Sequence, residues 1–250
     1  MDTPDPADDR VALITGASSG IGAATARRLA ADGTNVVLAA RRDAPLATVR
    51  DRCEQAGGDA LAVPTDVTDR AAVDALVEAA VDRFGRLDIA VVNAGIGEAR
   101  DVPLSELPVE QFERVTATNI HGAYYTTRAV LPALRESDGA LVCVGSYKGK
   151  HPSTSTPVYA ASKWWLRGFA LSVAGRVGPD GVAVTLVNPS GVRTAFGSEF
   201  RDQTNNTALD ASTTLDPTDI ADAVAYATEQ ETPVAVTELD LNRRDIFERF

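Results

Sequence analysis

Lysine is almost absent from this chain. Of its 24 basic residues only Lys148, Lys150 and Lys163 are lysine; the rest are arginine. There are two cysteines, two histidines, two tryptophans and one methionine. Two cysteines cannot build a disulfide scaffold or a zinc cluster, and no metal site is expected. The 250 residues must therefore be held by a buried apolar core, for which the chain is long enough. Cys143, inside an apolar run, reads as a small buried hydrophobe. No apolar run reaches the roughly 18 residues that a membrane span needs. Positive charge is also short: 24 Lys and Arg against 35 Asp and Glu leave a net charge of −11. That balance excludes nucleic acid and an anionic membrane surface as expected partners. An acidic, lysine-poor surface suits a salt-rich cytoplasm (a halophilic origin), where screening removes self-repulsion. An arginine- and alanine-biased genome accounts for it equally well, and both readings stay open.

The first residues, Met1 to Arg10, are rich in Asp and Pro and carry no apolar run. Residues 1–9 read as a flexible tail rather than a secretion signal, and a cytoplasmic location is expected. The sequon Asn205-Asn206-Thr207 is then without consequence. No linker rich in Pro, Gly or Ser divides the chain, and no repeat recurs. One domain over residues 1–250 is expected.

Short apolar runs alternate with helical patterns. Strands are expected at Val11–Thr15, Asn35–Ala40, Ala60–Pro64, Leu87–Val92, Ala140–Val144, Val182–Val187 and Val234–Leu239. Helices are expected at Ala23–Asp32, Ala44–Ala56, from Asp69 as cap through Phe84, Pro108–Glu136, Val158–Val177 and Asp219–Thr228. The strands are continuously apolar, as in a sheet covered on both faces. This is an α/β chain with a doubly wound parallel sheet of about seven strands and helices on both faces. Residues 191–215 lack clear periodicity and are a candidate substrate lid.

Thr15-Gly16-Ala17-Ser18-Ser19-Gly20-Ile21-Gly22 joins the first strand to the first helix. Gly16, Ser18, Ser19, Gly20, Ile21 and Gly22 let the backbone turn tightly and approach a diphosphate at a helix N-terminus. The spacing is G-x-x-x-G-x-G rather than G-x-G-x-x-G. The same residues match a nucleophile elbow with Ser18 as nucleophile. That rival needs a late histidine, and the only histidines are His121 and His151. At the end of the second strand, where an acid would bind the adenosine ribose of NAD, Ala40 is followed by Arg41. An arginine there forks a 2′-phosphate, so NADP (NADPH) is the preferred cofactor and NAD remains possible.

Tyr159 and Lys163 stand at i and i+4 on one helical face. An ammonium and an oxidised nicotinamide would both favour the phenolate. Ser146, 13 residues upstream, ends the fifth strand at the ligand-binding edge of the sheet.

Together these features resemble the short-chain dehydrogenase/reductase family, in its single-domain branch with a Tyr-x-x-x-Lys pair. The resemblance runs from Val11 to Thr194 and implies a Rossmann-like fold. Asp66-Val67 resembles the family's adenine-contacting pair. Asn93-Ala94-Gly95 resembles the motif that steadies the sheet edge near the adenosine ribose. Pro189, Val192 and Thr194 fall in a segment similar to the family's Pro-Gly-x-Val-x-Thr against the nicotinamide. The resemblance implies that Asn119, Ser146, Tyr159 and Lys163 are catalytic. Tyr159 would give and take the proton, Ser146 hold the carbonyl oxygen, Lys163 bind the nicotinamide ribose and lower the Tyr159 pKa, and Asn119 hold a relay water. The implied reaction moves a hydride between NADP and a small carbonyl or alcohol, in a homodimer or homotetramer. An NAD-linked dehydrogenase and a non-catalytic dinucleotide sensor are the alternatives.

Some residues depart from the pattern. Ser190 replaces the usual glycine and Ser19 a basic residue. The C-terminus lacks the Asp-Gly-Gly ending of many acyl-carrier reductases, which points to small ketones, hydroxy acids or amino-acid-like alcohols. Lys148, Lys150 and His151 are either a contact for an acidic substrate or a solvated loop. One of Trp164 and Trp165 is expected at a subunit contact or in the core, and His121 in helix packing. Ile246, Phe247 and Phe250 are expected to dock on a subunit or fray. Specificity is expected from Gly97–Leu107, Tyr147–Pro157 and Phe196–Leu215.

Overall fold

Every residue of the run Val11–Thr15 is buried, which is possible only for a strand with helices on both sides. The computed structural model describes residues 10–210 and 213–249, with side chains to 246. The expected tail, residues 1–9, lies outside the described residues, as do Phe250 and the Phe247 side chain. Seven parallel strands form one sheet: β1 Val11–Thr15, β2 Asn35–Ala40, β3 Ala60–Pro64, β4 Ile89–Val92, β5 Ala140–Val144, β6 Ala183–Pro189 and β7 Glu238–Leu241. Their spatial order is β3-β2-β1-β4-β5-β6-β7.

The strand period of two divides the core into two layers. Ala12, Ile14, Val36 and Leu38 face one side, under helices α1 (Gly20–Ala31), α2 (Asp43–Ala56) and α8 (Pro217–Thr228). Val11, Leu13, Val37 and Leu141 face the other, under α3 (Arg70–Phe84), α5 (Ala123–Glu136) and α6 (Pro157–Val177). Asp69 caps α3 by accepting from the N–H groups of Ala71 and Ala72 at 2.8 and 3.3 Å. Buried Asp88 accepts the Val11 N–H at 2.9 Å and the Arg86 guanidinium, fixing the start of β1 beside β4.

Two elements differ from the sequence pattern. The expected helix over 108–136 is α4 (Val109–Thr116) and α5 joined by a π-helical turn, Ala117–Gly122. The last strand is Glu238–Leu241 rather than Val234–Leu239. Val234 is exposed, and the chain first meets β6 where Leu186 N–H donates to Thr237 O. A short helix, α7 (Asn205–Ala208), lies in the aperiodic stretch. Among the described residues no helix is long and apolar enough to cross a membrane.

Candidate active site

Chain order reverses at β1, whose neighbours are β2 and β4, and a crevice opens beyond the carboxyl ends of the strands. A cavity of about 1050 Å³ follows it. The glycine turn forms one wall. Gly16 and Gly20 have φ of +67° and +57°, a region costly for any other side chain here. A Cβ on Gly22 would lie 2.5 Å from Gly16 O, so this turn has no room for a methyl group. Helix α1 opens with no side-chain cap at Ser19 and no acid in its first turn. Its leading N–H groups suit an anion, and with the glycine turn they fit a dinucleotide diphosphate.

Asn93 fastens the crevice. Its Nδ2 donates to Thr15 O at 2.8 Å and its backbone N–H to Thr15 Oγ1 at 3.1 Å, tying β1 to β4. Ala94, Gly95, Asp66 and Val67 line the same stretch. The Asp66 carboxylate accepts from Thr68 N and Oγ1. Across the crevice Pro189, Val192 and Thr194 line the cavity, and Thr194 packs against Gly20. The departure at Ser190 is absorbed: its N–H donates to Leu241 O and its Oγ accepts from Arg243 N.

Ser146, Tyr159 and Lys163 meet on the facing wall. Ser146 leaves the end of β5 beside the phenol of Tyr159. Lys163 is buried, and its Nζ donates to Val144 O at 2.7 Å and lies 5.8 Å from the Tyr159 ring centre. Burial lowers the Lys163 pKa to about 8. The Tyr159 pKa is raised, chiefly by burial; the Ser146 hydroxyl and the Arg201 charge pull the other way. The Lys163 ammonium is directed to the Val144 carbonyl rather than to the phenol oxygen.

Asn119 sits in the π-helical turn and is buried. Its Oδ1 accepts from Ile96 N, and its Nδ2 donates to Ile96 O and Ser162 Oγ, each at 2.9 Å. Ser162 Oγ donates to Tyr159 O at 2.7 Å. The side chain of Asn119 thus braces α6 against the segment after β4.

Arg41 lines the cavity and pairs with Glu199 of the 191–215 stretch at 3.2 Å; Glu199 also pairs with Arg114. The loop cluster after Ser146 separates. Lys148 lines the cavity, Lys150 pairs with Asp240 at 2.7 Å, and the His151 ring stacks on Tyr147. Neither His121 nor His151 borders the cavity that Ser18 lines, so the nucleophile elbow lacks its base. Trp165 stacks on Phe169 against the core, whereas Trp164 is exposed. Ile246 is buried and lines the cavity. Among the described residues no His, Cys, Asp or Glu cluster is placed to hold a metal.

Sequence reasoning misses Glu98. It is fully buried, and its carboxylate accepts from Val158 N at 2.8 Å and Tyr159 N at 3.0 Å, at the N-terminus of α6. It misses Arg201 too, which donates to Glu98 O at 2.8 Å. Neither residue belongs to a periodic pattern.

The family model described as short chain dehydrogenase matches residues 10–205. An uncharacterized oxidoreductase of Staphylococcus aureus strain MW2 is 34% identical over 232 residues, covering 92% of this chain and 96% of that protein. An alcohol dehydrogenase of the archaeon Thermococcus sibiricus, complexed with 5-hydroxy-NADP, superposes with a TM-score of 0.84 at 30% identity, over 94% of this chain and 97% of that one. A 3-ketoacyl-(acyl-carrier-protein) reductase of Brucella melitensis, complexed with NADH, gives 0.85 at 31% identity, over 95% and 98%.

Proposed function

The chain belongs to the short-chain dehydrogenase/reductase family, and from that premise we propose that it is an NADP-preferring reductase of a small carbonyl compound, or the dehydrogenase of the corresponding alcohol. It is an oxidoreductase, and its structural neighbours are bound to both phosphorylated and unphosphorylated cofactors. The observation that carries the reading is the meeting of Ser146, Tyr159 and buried Lys163 opposite the glycine turn, across one cavity.

The nicotinamide, when bound, supplies or accepts the hydride. The remaining chemistry belongs to side chains. Tyr159 gives its phenolic proton to the carbonyl oxygen, and Ser146 holds that oxygen in place. Lys163, buried with its Nζ donating to the Val144 carbonyl, is set to bind ribose hydroxyls and to stabilise a phenolate once turned toward it. Gly16, Ser18, Ser19, Gly20, Ile21 and Gly22 hold the diphosphate. Asp66, Val67, Asn93, Ala94 and Gly95 hold the adenosine side, and Pro189, Val192 and Thr194 the nicotinamide side. Arg41, with Ala40 in place of an acid, supports NADP over NAD.

A panel of ketones with NADPH and with NADH tests this. Consumption of NADPH at a kcat/KM about tenfold or more above that with NADH is expected. Tight cofactor binding with no turnover would favour a sensor, and preference for NADH would favour the NAD-linked alternative.

The whole chain is read as one unit working in the cytoplasm as a homo-oligomer. Phe112, Tyr124 and Trp164 are exposed on α4, α5 and α6, and they suit a second copy of this face. A monomeric mass by light scattering would end that part of the reading.

A further inference from the structure

One end of the cavity gathers positive charge that the reaction described above does not use. Arg201, Lys148 and Arg100 line it beside Tyr159. Among the described residues none of the three makes an ion pair, although the chain carries an excess of eleven negative charges. Their partners are neutral. Arg201 Nε donates to Glu98 O at 2.8 Å and its guanidinium lies 5.1 Å from the Phe196 ring centre. Lys148 Nζ donates to Thr156 Oγ1 at 2.6 Å, and Arg100 to Asn205 Oδ1 at 3.0 Å.

The three cations also work against one another. Burial, together with the charges of Arg100 and Arg201, lowers the Lys148 pKa to about 8, and burial with Arg100 lowers that of Arg201. Glu98 and Asp101 oppose this. The Glu98 carboxylate is already committed to the N–H groups of Val158 and Tyr159. Lys148 and Arg201 are half-buried while Arg100 is exposed; burying a cation is costly, and the Glu98 and Asp101 charges offset only part of that cost, with no ion pair formed to either of the two. The reacting group is close: the Phe196 ring under Arg201 lies 5.2 Å from the ring of Tyr159, and Lys148 follows Ser146 by two residues.

We propose that the substrate is an oxo acid whose carboxylate is held by Arg201 and Lys148, with Arg100 beside them, while its carbonyl lies against Ser146 and Tyr159. This rests on the reductase reading above and names the substrate class for it. The carboxylate is a handle and is unchanged: the carbonyl carbon accepts a hydride, two electrons, from the reduced nicotinamide, and the oxygen takes one proton from Tyr159. The product is a hydroxy acid and the oxidised cofactor. An upstream reaction must then leave a ketone in a molecule that keeps a free carboxylate.

The test compares 2-, 3- and 4-oxopentanoate with their methyl esters, using NADPH, in the wild type, Arg201→Gln and Lys148→Gln. Charge-assisted bonds to a carboxylate predict that at least one acid exceeds its ester in kcat/KM by about 100-fold, and that the ratio falls by at least about tenfold in each variant. Two variants from different segments guard against a folding defect in one. Esters used as well as acids, with ratios unmoved by either substitution, would overturn the carboxylate site and leave the reductase reading standing. Preference for a phosphorylated ketone over every acid would overturn it in the same way. A second measurement covers a chain that turns over nothing, which would count against the reductase reading instead. Calorimetric titration of the NADP complex with pentanoate and with pentanamide should show binding of the acid alone, lost in Arg201→Gln. Equal or absent binding of both would overturn the site.

Discussion

Arg41 and Glu199 lie 158 residues apart in the chain and meet at 3.2 Å at the border of the cavity. The carboxylate occupies the arginine that would fork a 2′-phosphate, so on the NADP reading the 191–215 stretch and the phosphate would compete for one cation. Glu199→Gln should release Arg41 and tighten NADPH by roughly two- to fivefold, an exposed pair being worth about 1 kcal/mol or less. NADH should change little. Arg41→Ala should do the opposite, weakening NADPH by about tenfold or more. Fluorescence titration with both cofactors checks this, and equal effects on the two would remove Arg41 from the phosphate.

Tyr159→Phe should lower kcat by at least about 1000-fold while leaving the NADPH dissociation constant within about threefold, because the hydroxyl acts on the substrate. Retained turnover would show that another group supplies the proton. Ser146→Ala should cost about 100-fold, the scale of losing one donor to a developing oxyanion.

Glu98 holds the start of α6, which carries Tyr159 and Lys163, through the N–H groups of Val158 and Tyr159. Glu98→Ala leaves both buried and unpartnered, and should cost about 2–3 kcal/mol in urea unfolding together with a fall in kcat. Glu98→Gln keeps one acceptor and should recover part of each. A variant as stable and active as the wild type would deny Glu98 this positioning role.

Stability should climb above pH 8 in the cofactor-free protein. Lys148 and Lys163 have native pKa values near 8, below the ordinary 10.5 of the unfolded chain. Below pH 8 both states hold these protons and the native state bears the full cost of burying them. Between about 8 and 10.5 the native state releases them first, so that cost is relieved. At pH 9.5 the relief from Lys163 alone is on the order of 2 kcal/mol. Tyr159 acts in the other direction above pH 10, where the unfolded phenol ionises before the native one. Chemical unfolding at pH 7.5 and 9.5 should show the gain in the wild type and a smaller one in Lys163→Met. Equal gains would assign the effect elsewhere.

The parts of the site readable in sequence are those whose chemistry and backbone requirement coincide locally. Gly16 and Gly20 need positive φ within one turn, and Tyr159 and Lys163 share a helix. The strands were readable because burial on both faces leaves unbroken apolar runs such as Val36–Ala39. The π-helical turn left no trace, since Asn119 is drawn to Ile96, 23 residues away, by packing that periodicity does not encode. Arg201 and Glu98 meet across 103 residues and two aperiodic loops. β7 was misplaced because Val234 and Val236 imitate a strand before the chain reaches β6.

The scarcity of lysine has a practical result for labelling. Lys148 lines the cavity, Lys163 lies buried near the Tyr159 ring, and Lys150 is held by Glu238 and Asp240 of β7. Acylating reagents, which scatter over the surface of most proteins, would find here three ε-amines within one short segment, plus the terminal amine. The lowered pKa of Lys148 leaves more free amine at neutral pH than an ordinary lysine offers. Modification stoichiometry by intact-mass measurement, with and without cofactor, would therefore report on occupancy of the crevice itself.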